Sequence, residues 1–514
     1  MATDQSVDSV KVRMYRHGFG DCFLLSFFHD QDRVFTMLID CGIKHNTSSV
    51  DVPIEDVIAD LTQVLTPEGG NKPHVDVLVA THEHWDHISF FHPTRSPDYF
   101  AAFEIGQVWL AWTENPRDKE AVAINSRLRQ GAAALHIAAV KLAEAEPAHA
   151  GQDSGTARER SATATARASF NKSMDDVLGF YGVTALRKVS QSGIKYKTNG
   201  EISGMTQQAI ENIVKLGQKG GGIKYFLPGT TVDKQLVPPG VNIFVLGPPK
   251  SSLINQSNPR GGHSKETYLG IDNTGLTSFI DGMVKFGAAP GKQTGQDPAS
   301  PFGDEVGIEP KAAAKESYFK ETYFARDEQY RQIEYNWLDI AGQLALQLDG
   351  AINNTSLVLA IELAGSGKVL LFPGDAQVGS WLSWHSHEWK VKNGARTETR
   401  TAEDLLKNTV LYKVSHHGSH NATVREKGLE MMKHPDLVAL IPEKEDSYNG
   451  ILYEPLMTRL NEMCKGRVLV SADVNHTPEQ LMKKRPEGVS VKEWNEFKQN
   501  VIVDRVYVEY TVRS

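Results

Sequence analysis

Cysteine is scarce in this chain. Its 514 residues hold three, Cys22, Cys41 and Cys464. Three cysteines without CxxC spacing are too few for a disulfide framework, and they read as ordinary residues of a reducing cytoplasm. Long apolar runs are absent too. No stretch approaches the roughly 18 consecutive apolar residues of a membrane-spanning helix. The start, Met1-Ala2-Thr3-Asp4-Gln5, lacks the basic-then-apolar pattern of a secretory signal. The expectation is a cytoplasmic protein without a membrane span. Positive charge is outnumbered, with 55 Lys and Arg against 63 Asp and Glu and a net charge of −8. That balance argues against sequence-independent binding to duplex DNA, which needs a cationic surface, but it leaves room for a local basic groove.

What is present is enough chain for more than one hydrophobic core. The apolar share of 40% suits a globular protein. The first part reads as β-rich, with runs at Val10 to Tyr15, Cys22 to Phe28 and Arg33 to Ile39, the first two separated by a turn at His17-Gly18-Phe19-Gly20-Asp21. Val57, Ile58, Leu61 and Leu65 have helical spacing and predict a helix before the apolar run Val75 to Ala80. Gln107 to Trp112 predicts another strand. From about Asn115 to Gly222 the composition shifts to Ala, Lys, Arg, Glu and Gln, which predicts an inserted, mainly helical segment with a helix from about Lys119 to Glu146. Pro147 to Ser169 within it is poor in bulky apolar residues and reads as a loop or a polar helix.

Core-like runs return at Ile223 to Pro228 and Val241 to Pro249, and read as paired strands. A second insertion runs from about Ser251 to Arg326, with a Gly/Pro/Ala-rich loop at Ala288 to Pro310. Trp337, Ile340, Ala341, Leu344 and Leu348 form a helical stripe suited to packing on a sheet. Asn354 to Ile361 begins a second half-sheet, and Val501 to Val512 is a closing strand. The expected division is 1–114, first half of the core; 115–222, helical insertion; 223–250, core strands; 251–326, second insertion and potential lid; and 327–514, second half of the core.

The chemistry is concentrated at Thr81-His82-Glu83-His84-Trp85-Asp86-His87, directly after the Val75 run. A strand ending in such a loop can aim several ligands at one point. Histidine with carboxylate suits zinc, or manganese or iron at similar sites. A polar turn with incidental histidines is the bland alternative, and so regular a cluster argues against it.

The cluster reads His-x-His-x-Asp-His, which resembles the signature of the metallo-β-lactamase fold superfamily. Further motifs follow in the order that this resemblance implies. Asp40 ends a strand in Met37 to Gly42, Asp375 follows Val369 to Phe372, and His416-His417-Gly418-Ser419 follows Leu411 to Val414. The implied fold is α/β, a four-layer αβ/βα metallo-β-lactamase sandwich with helical and loop insertions. The implied ligands are His82 and His84 on a first divalent metal, Asp86 and His87 on a second, Asp375 bridging both, and His416 completing the second. A hydroxide shared by the metals would be the nucleophile. Asp86, Asp375 and His417 are the candidate catalytic residues. The sequence leaves open which of His416 and His417 ligates: the strand end favours His416, leaving His417 to donate a proton to the leaving group.

One ligand common in the superfamily is missing. A histidine expected before the second half-sheet has no counterpart in Asn353-Asn354-Thr355-Ser356-Leu357. His263 could replace it or could be a solvated loop histidine. The pattern Gly18-Phe19-Gly20-Asp21, Leu38 to Gly42, His82 to His87, Asn353 to Leu359, Phe372 to Asp375 and His416 to Ser419 resembles the hydrolase domain of the competence DNA-uptake channel ComEC, without its membrane region. That resemblance implies Asp40 as an orienting partner of the His loop, and Asp21 near the metals or simply in a turn. His476 lines the pocket or lies in a surface loop, and Ser419, His420 and Asn421 are candidates for substrate contact.

The implied reaction is hydrolysis by a dinuclear phosphodiesterase or nuclease, with two divalent metals, zinc first and manganese or iron as alternatives. Single-stranded nucleic acid or a nucleotide is the implied substrate. Two alternatives stand beside it: a small-molecule ester, thioester or lactone hydrolase with the insertions as a lid, and an effector component whose helical insertion docks a protein partner.

Overall fold

The computed structural model describes residues 6–44, 47, 49, 51–93, 98–149, 178–181, 195–196, 202–257, 308, 310–325, 347–393, 396–444, 452–472 and 477–514. The expected features at His263, His476 and Trp337 to Leu344, and most of Ala288 to Pro310 and of Pro147 to Ser169, lie outside these residues.

The chain is mixed α/β. It opens with three antiparallel strands, β1 (Ser9–Tyr15), β2 (Cys22–His29) and β3 (Asp32–Cys41). Helix α1 (Ile54–Leu65) carries the chain back so that β4 (His74–Val79) runs parallel to β3. Its apolar stripe, Val57, Leu61 and Leu65, is buried on the sheet as the helical spacing requires. The short α2 (Trp85–Ile88) follows β4, and β5 (Glu104–Ala111) lies parallel to β4. Helix α3 (Lys119–His149) matches the helix expected from Lys119, and β6 (Lys195–Tyr196) with β7 (Ile202–Ser203) forms a small hairpin.

Helix α4 (Met205–Lys219) falls inside the expected insertion yet packs with the core. Its Ala209, Ile210, Ile213 and Leu216 are buried in the same cluster as α1 and the outer face of the first sheet. The next strand, β8 (Ile223–Phe226), pairs in parallel with β5.

The expected pairing of Ile223–Pro228 with Val241–Pro249 does not form. β9 (Val241–Gly247) pairs antiparallel with β10 (Val358–Leu363) in the second sheet. Both runs are apolar because the space between the sheets buries residues from each, so apolarity alone does not say which sheet a strand joins. β10 pairs with β11 (Lys368–Phe372). Among the described residues, β12 (Glu388–Asn393) and β13 (Arg396–Thr401) pair only with each other. β14 (Thr409–Lys413), β15 (Val438–Lys444) and β16 (Val468–Ala472) extend the second sheet in parallel from β11. The closing run is two strands, β17 (Val501–Val503) and β18 (Tyr507–Arg513), which return to the first sheet beside β1.

The sheets are therefore β17-β18-β1-β2-β3-β4-β5-β8 and β16-β15-β14-β11-β10-β9. One apolar cluster draws on both, from Val12, Phe23 and Val77 on the first to Ile243, Leu359 and Leu440 on the second. Separate clusters bury the outer face of the first sheet against α1 and α4, and that of the second against the helices Val378–Trp384 and Ala402–Lys407. Among the described residues no helix is long and apolar enough to cross a membrane.

The register puts the carboxyl ends of β3, β4, β11 and β14 at one edge, where open α/β sheets place their ligands. Leu357 N–H donates to Thr81 carbonyl oxygen (2.8 Å), tying the start of β10 to the loop after β4.

Candidate metal centre

Asp86, His87, Asp375 and His417 meet at this edge. All four are buried, and one ligand atom from each lies within 4.8 Å of the others. His87 Nε2 is 3.1 Å from Asp375 Oδ2 and 3.7 Å from Asp86 Oδ2. His417 Nε2 is 3.2 Å from Asp86 Oδ2 and 3.8 Å from Asp375 Oδ2. Ligand atoms about 2.0 Å from one tetrahedral ion stand about 3.3 Å apart, so this spacing fits a metal. Asp86 Oδ1, buried without a hydrogen-bond partner, is a further acceptor left for a cation.

Outer hydrogen bonds fix where the protons sit. His87 Nδ1 donates to Asp40 Oδ2 (2.8 Å), and His417 Nδ1 donates to the Pro442 carbonyl (2.7 Å). Both acceptors lack a proton of their own, so each Nε2 is the nitrogen left to ligate. Asp40 also takes the Thr81 backbone N–H on Oδ1 and the Thr81 hydroxyl on Oδ2, each at 2.7 Å. With its proton committed to Asp40, Thr81 Oγ1 accepts from His82 Nδ1 (3.0 Å), which leaves a lone pair on His82 Nε2. One carboxylate thus orients two imidazoles and the loop that carries them.

His82 Nε2 lies 3.1 Å from His84 Nδ1, a spacing that also fits two ligands of one ion. Among the described residues no third His, Cys, Asp or Glu closes on this pair at ligand spacing.

On the point that the sequence left open, His417 and not His416 joins Asp86 and Asp375 in the cluster. Both residues are left-handed, with φ of 44° and 51°, and Gly418 follows at 79°. This tight turn sends the adjacent rings apart. The His417 ring packs 4.2 Å from that of Phe19, while His416 Nδ1 meets Ser419 Oγ (2.8 Å) and its Nε2 meets Asn353 Nδ2 (3.3 Å). Two consecutive non-glycine residues in this region cost on the order of 1–3 kcal/mol each, the kind of strain that collects at functional sites.

Lys413, unremarked in the sequence as a strand residue, is the buried cation of the site. Its Nζ bonds Asp21 Oδ2 (2.6 Å), Asp375 Oδ1 (3.2 Å) and the Gly374 carbonyl (3.0 Å). Asp375 therefore presents Oδ2 to the histidines while Lys413 holds Oδ1. Burial pushes the Asp375 carboxyl up, but His87, Lys413 and His417 outweigh it and hold the carboxyl well below its usual range. Burial lowers His87 and His417, yet the surrounding carboxylates win: His87 rises well above its ordinary value, and His417 rises to about 9. Burial dominates at the other imidazoles, bringing His82 well down, His84 to about 4 and His416 below its ordinary value.

The glycines of the two early motifs are steric requirements. A Cβ on Gly20, where φ is 152°, would lie 2.3 Å from the Gly42 carbonyl oxygen. One on Gly42 would lie 2.5 Å from the His87 backbone. Asp21 and Asp40 reach the histidines because these backbones touch. Their neighbours Cys22 and Cys41 face each other across β2 and β3, with free thiols 3.2 Å apart.

The helical insertion also reaches the site. The Trp85 backbone N–H donates to the Phe180 carbonyl (2.7 Å), and the Phe180 and Tyr181 rings lie 5.4 and 5.8 Å from that of His84. Beneath the loop, Arg129 of α3 is 3.6 Å from Glu83. Nothing in the sequence marked Phe180, Tyr181 or Arg129. His420 is exposed beside Tyr453, apart from the ligand cluster. Asn421 lies next to Ser419, which is 3.3 Å from its Oδ1.

No family model matches the chain, and no curated protein matches it.

Proposed function

We propose that this protein is a metal-dependent hydrolase of the metallo-β-lactamase fold, similar to the ComEC hydrolase domain, that cleaves phosphodiesters in single-stranded nucleic acid or nucleotides. The observation that carries the reading is the meeting of Asp86, His87, Asp375 and His417, from two sheets, at spacings suited to one ion. The two facing sheets with helices on their outer faces support a four-layer αβ/βα sandwich. Those four residues would hold one divalent ion and His82 with His84 a second, zinc first among the candidates given nitrogen and carboxylate donors. Ions bound there supply positive charge for the scissile phosphoryl group and lower the pKa of water.

The chain's own part is orientation and proton movement. Asp40 and Thr81 aim His82 and His87, and Lys413 fixes Asp375. His417 would be held among the ligands, so His416 is the group left to move the proton, its Nε2 giving up the 3.3 Å Asn353 contact to do so. Burial keeps His416 neutral at pH 7, so it can accept a proton from the attacking water and return it to the departing oxygen. Ser419 and Asn353 hold its ring.

A second reading has a specific observation behind it. Phe180 and Tyr181 pack against His84 and narrow the approach from that side, which favours a small ester, thioester or lactone. A substrate panel separates the two. Zinc- or manganese-loaded protein is tested on short single-stranded DNA, a cyclic dinucleotide, a thioester and a lactone. Faster phosphodiester cleavage supports the first reading, and ester turnover alone supports the second. No turnover by folded, metal-loaded protein contradicts both.

A further inference from the structure

Each imidazole that ligates through one nitrogen needs an acceptor for the proton on the other. Three of the four candidate ligand histidines have one: His82 on Thr81, His87 on Asp40 and His417 on Pro442. His84 is the exception. Its Nδ1 faces His82 Nε2, and its Nε2 is buried with no hydrogen-bond partner.

In the metal-free protein the His82–His84 contact is satisfied by one shared proton. Because His82 already carries its proton on Nδ1, that shared proton belongs to His84 Nδ1. Two ligating nitrogens both need lone pairs, so metal binding moves the His84 proton to Nε2. An acceptor must then stand there.

Among the described residues the nearest carboxylate to His84 Nε2 is that of Asp349. Its Oδ1 is 4.0 Å from His84 Nε2 and is itself buried without a partner. Its Oδ2 is anchored by Asn353 Nδ2 at 3.1 Å. Two buried atoms without partners thus face each other, and once the proton is on Nε2 a movement of about 1 Å would close the gap to hydrogen-bond length. Asp349 lies outside every motif of the sequence, in the helical turn that leads to β10.

We infer that Asp349 is the positioning residue of the first metal site: it accepts the His84 Nε2 proton when His82 and His84 ligate, and so does for His84 what Asp40 does for His87. This rests on the two-metal reading above. Asp349 does not ligate in this arrangement, because it meets the ring on the nitrogen that faces away from His82.

The test is metal stoichiometry and affinity, measured by elemental analysis and chelator competition with zinc on full-length wild type, Asp349→Ala and Asp349→Glu. Wild type is expected to hold two equivalents. Asp349→Ala, which removes the acceptor, is expected to keep one equivalent at wild-type affinity and to weaken the other about 10–100-fold. Asp349→Glu, which keeps a carboxylate acceptor, is expected to recover part of that loss. Circular dichroism confirms that each variant is folded. Two equivalents bound by Asp349→Ala at wild-type affinity would overturn the inference and leave the two-metal reading standing. A wild type that holds fewer than two would overturn both.

Discussion

His417 Nε2 stands 3.2 Å from Asp86 Oδ2 although 331 residues separate them, so the two sheets must be docked before this contact exists. Asp86 comes from the loop after β4 in the first sheet, and His417 from the turn after β14 in the second. A metal bound here would couple to the docking of the two halves, and the two adjacent histidines of the turn have different surroundings and different proposed tasks.

Replacing the two histidines separates those tasks. His417→Ala is expected to lose the second metal, seen as a fall of about one equivalent in elemental analysis. His416→Ala is expected to keep both metals and to lose about 10²–10⁴-fold in kcat, the usual contribution of a proton-transfer group. Equal metal loss in the two variants would contradict the assignment.

Lys413→Met removes the ammonium between Asp21 and Asp375 and leaves both carboxylates buried without their cation. Breaking a buried pair in this way costs about 3–5 kcal/mol. Denaturant unfolding of the metal-free protein should show a loss of that order, and added zinc should recover part of it by binding the native state alone. A loss within about 0.5 kcal/mol, typical of surface changes, would contradict the role.

Glu114 gives a pH dependence from a group that is not itself a candidate ligand. Burial first, and Glu83 second, raise its carboxyl to about 8, with Arg129 opposing, and it acts in turn on the Tyr225 hydroxyl. Its ordinary value is 4.5, so the native state holds an extra proton between that pH and about 8. Stability contributed by this proton is present at low pH and is lost as pH rises through that window. Glu114→Gln should match wild type near pH 4.5 and exceed it by at least about 1 kcal/mol at pH 8.5. Thermal melts at both values check the sign, and a variant less stable than wild type at pH 8.5 would reverse it.

Where the sequence was readable and where it was not follows from range. His82, His84, Asp86 and His87 are aimed by one strand and the loop that ends it, so local spacing reveals them, and Asp375 follows an equally plain apolar run. Choosing between His416 and His417 depends on two left-handed backbone angles, which no side-chain pattern specifies. Lys413 looks like any strand residue until Asp21 and Asp375 are placed beside it. Asp349, Phe180, Tyr181 and Arg129 reach the site through tertiary packing, with no local signature. Helix α4 is hidden in the region read as an insertion, although Ala209, Ile213 and Leu216 have the spacing of a core-facing helix. β8 and β9 were assigned to each other because both are apolar and close in sequence, whereas the two sheets separate them.

The most direct measurement is the hydrolysis of bis(p-nitrophenyl) phosphate by zinc- or manganese-loaded wild type beside Asp375→Ala. The expected result is turnover that chelation abolishes and re-metallation restores, reduced at least about a hundredfold in the variant, since metal charge is worth several kcal/mol to such a transition state. Folded, metal-loaded wild type without turnover, or Asp375→Ala as active as wild type, would contradict a metal-dependent phosphodiesterase at this site.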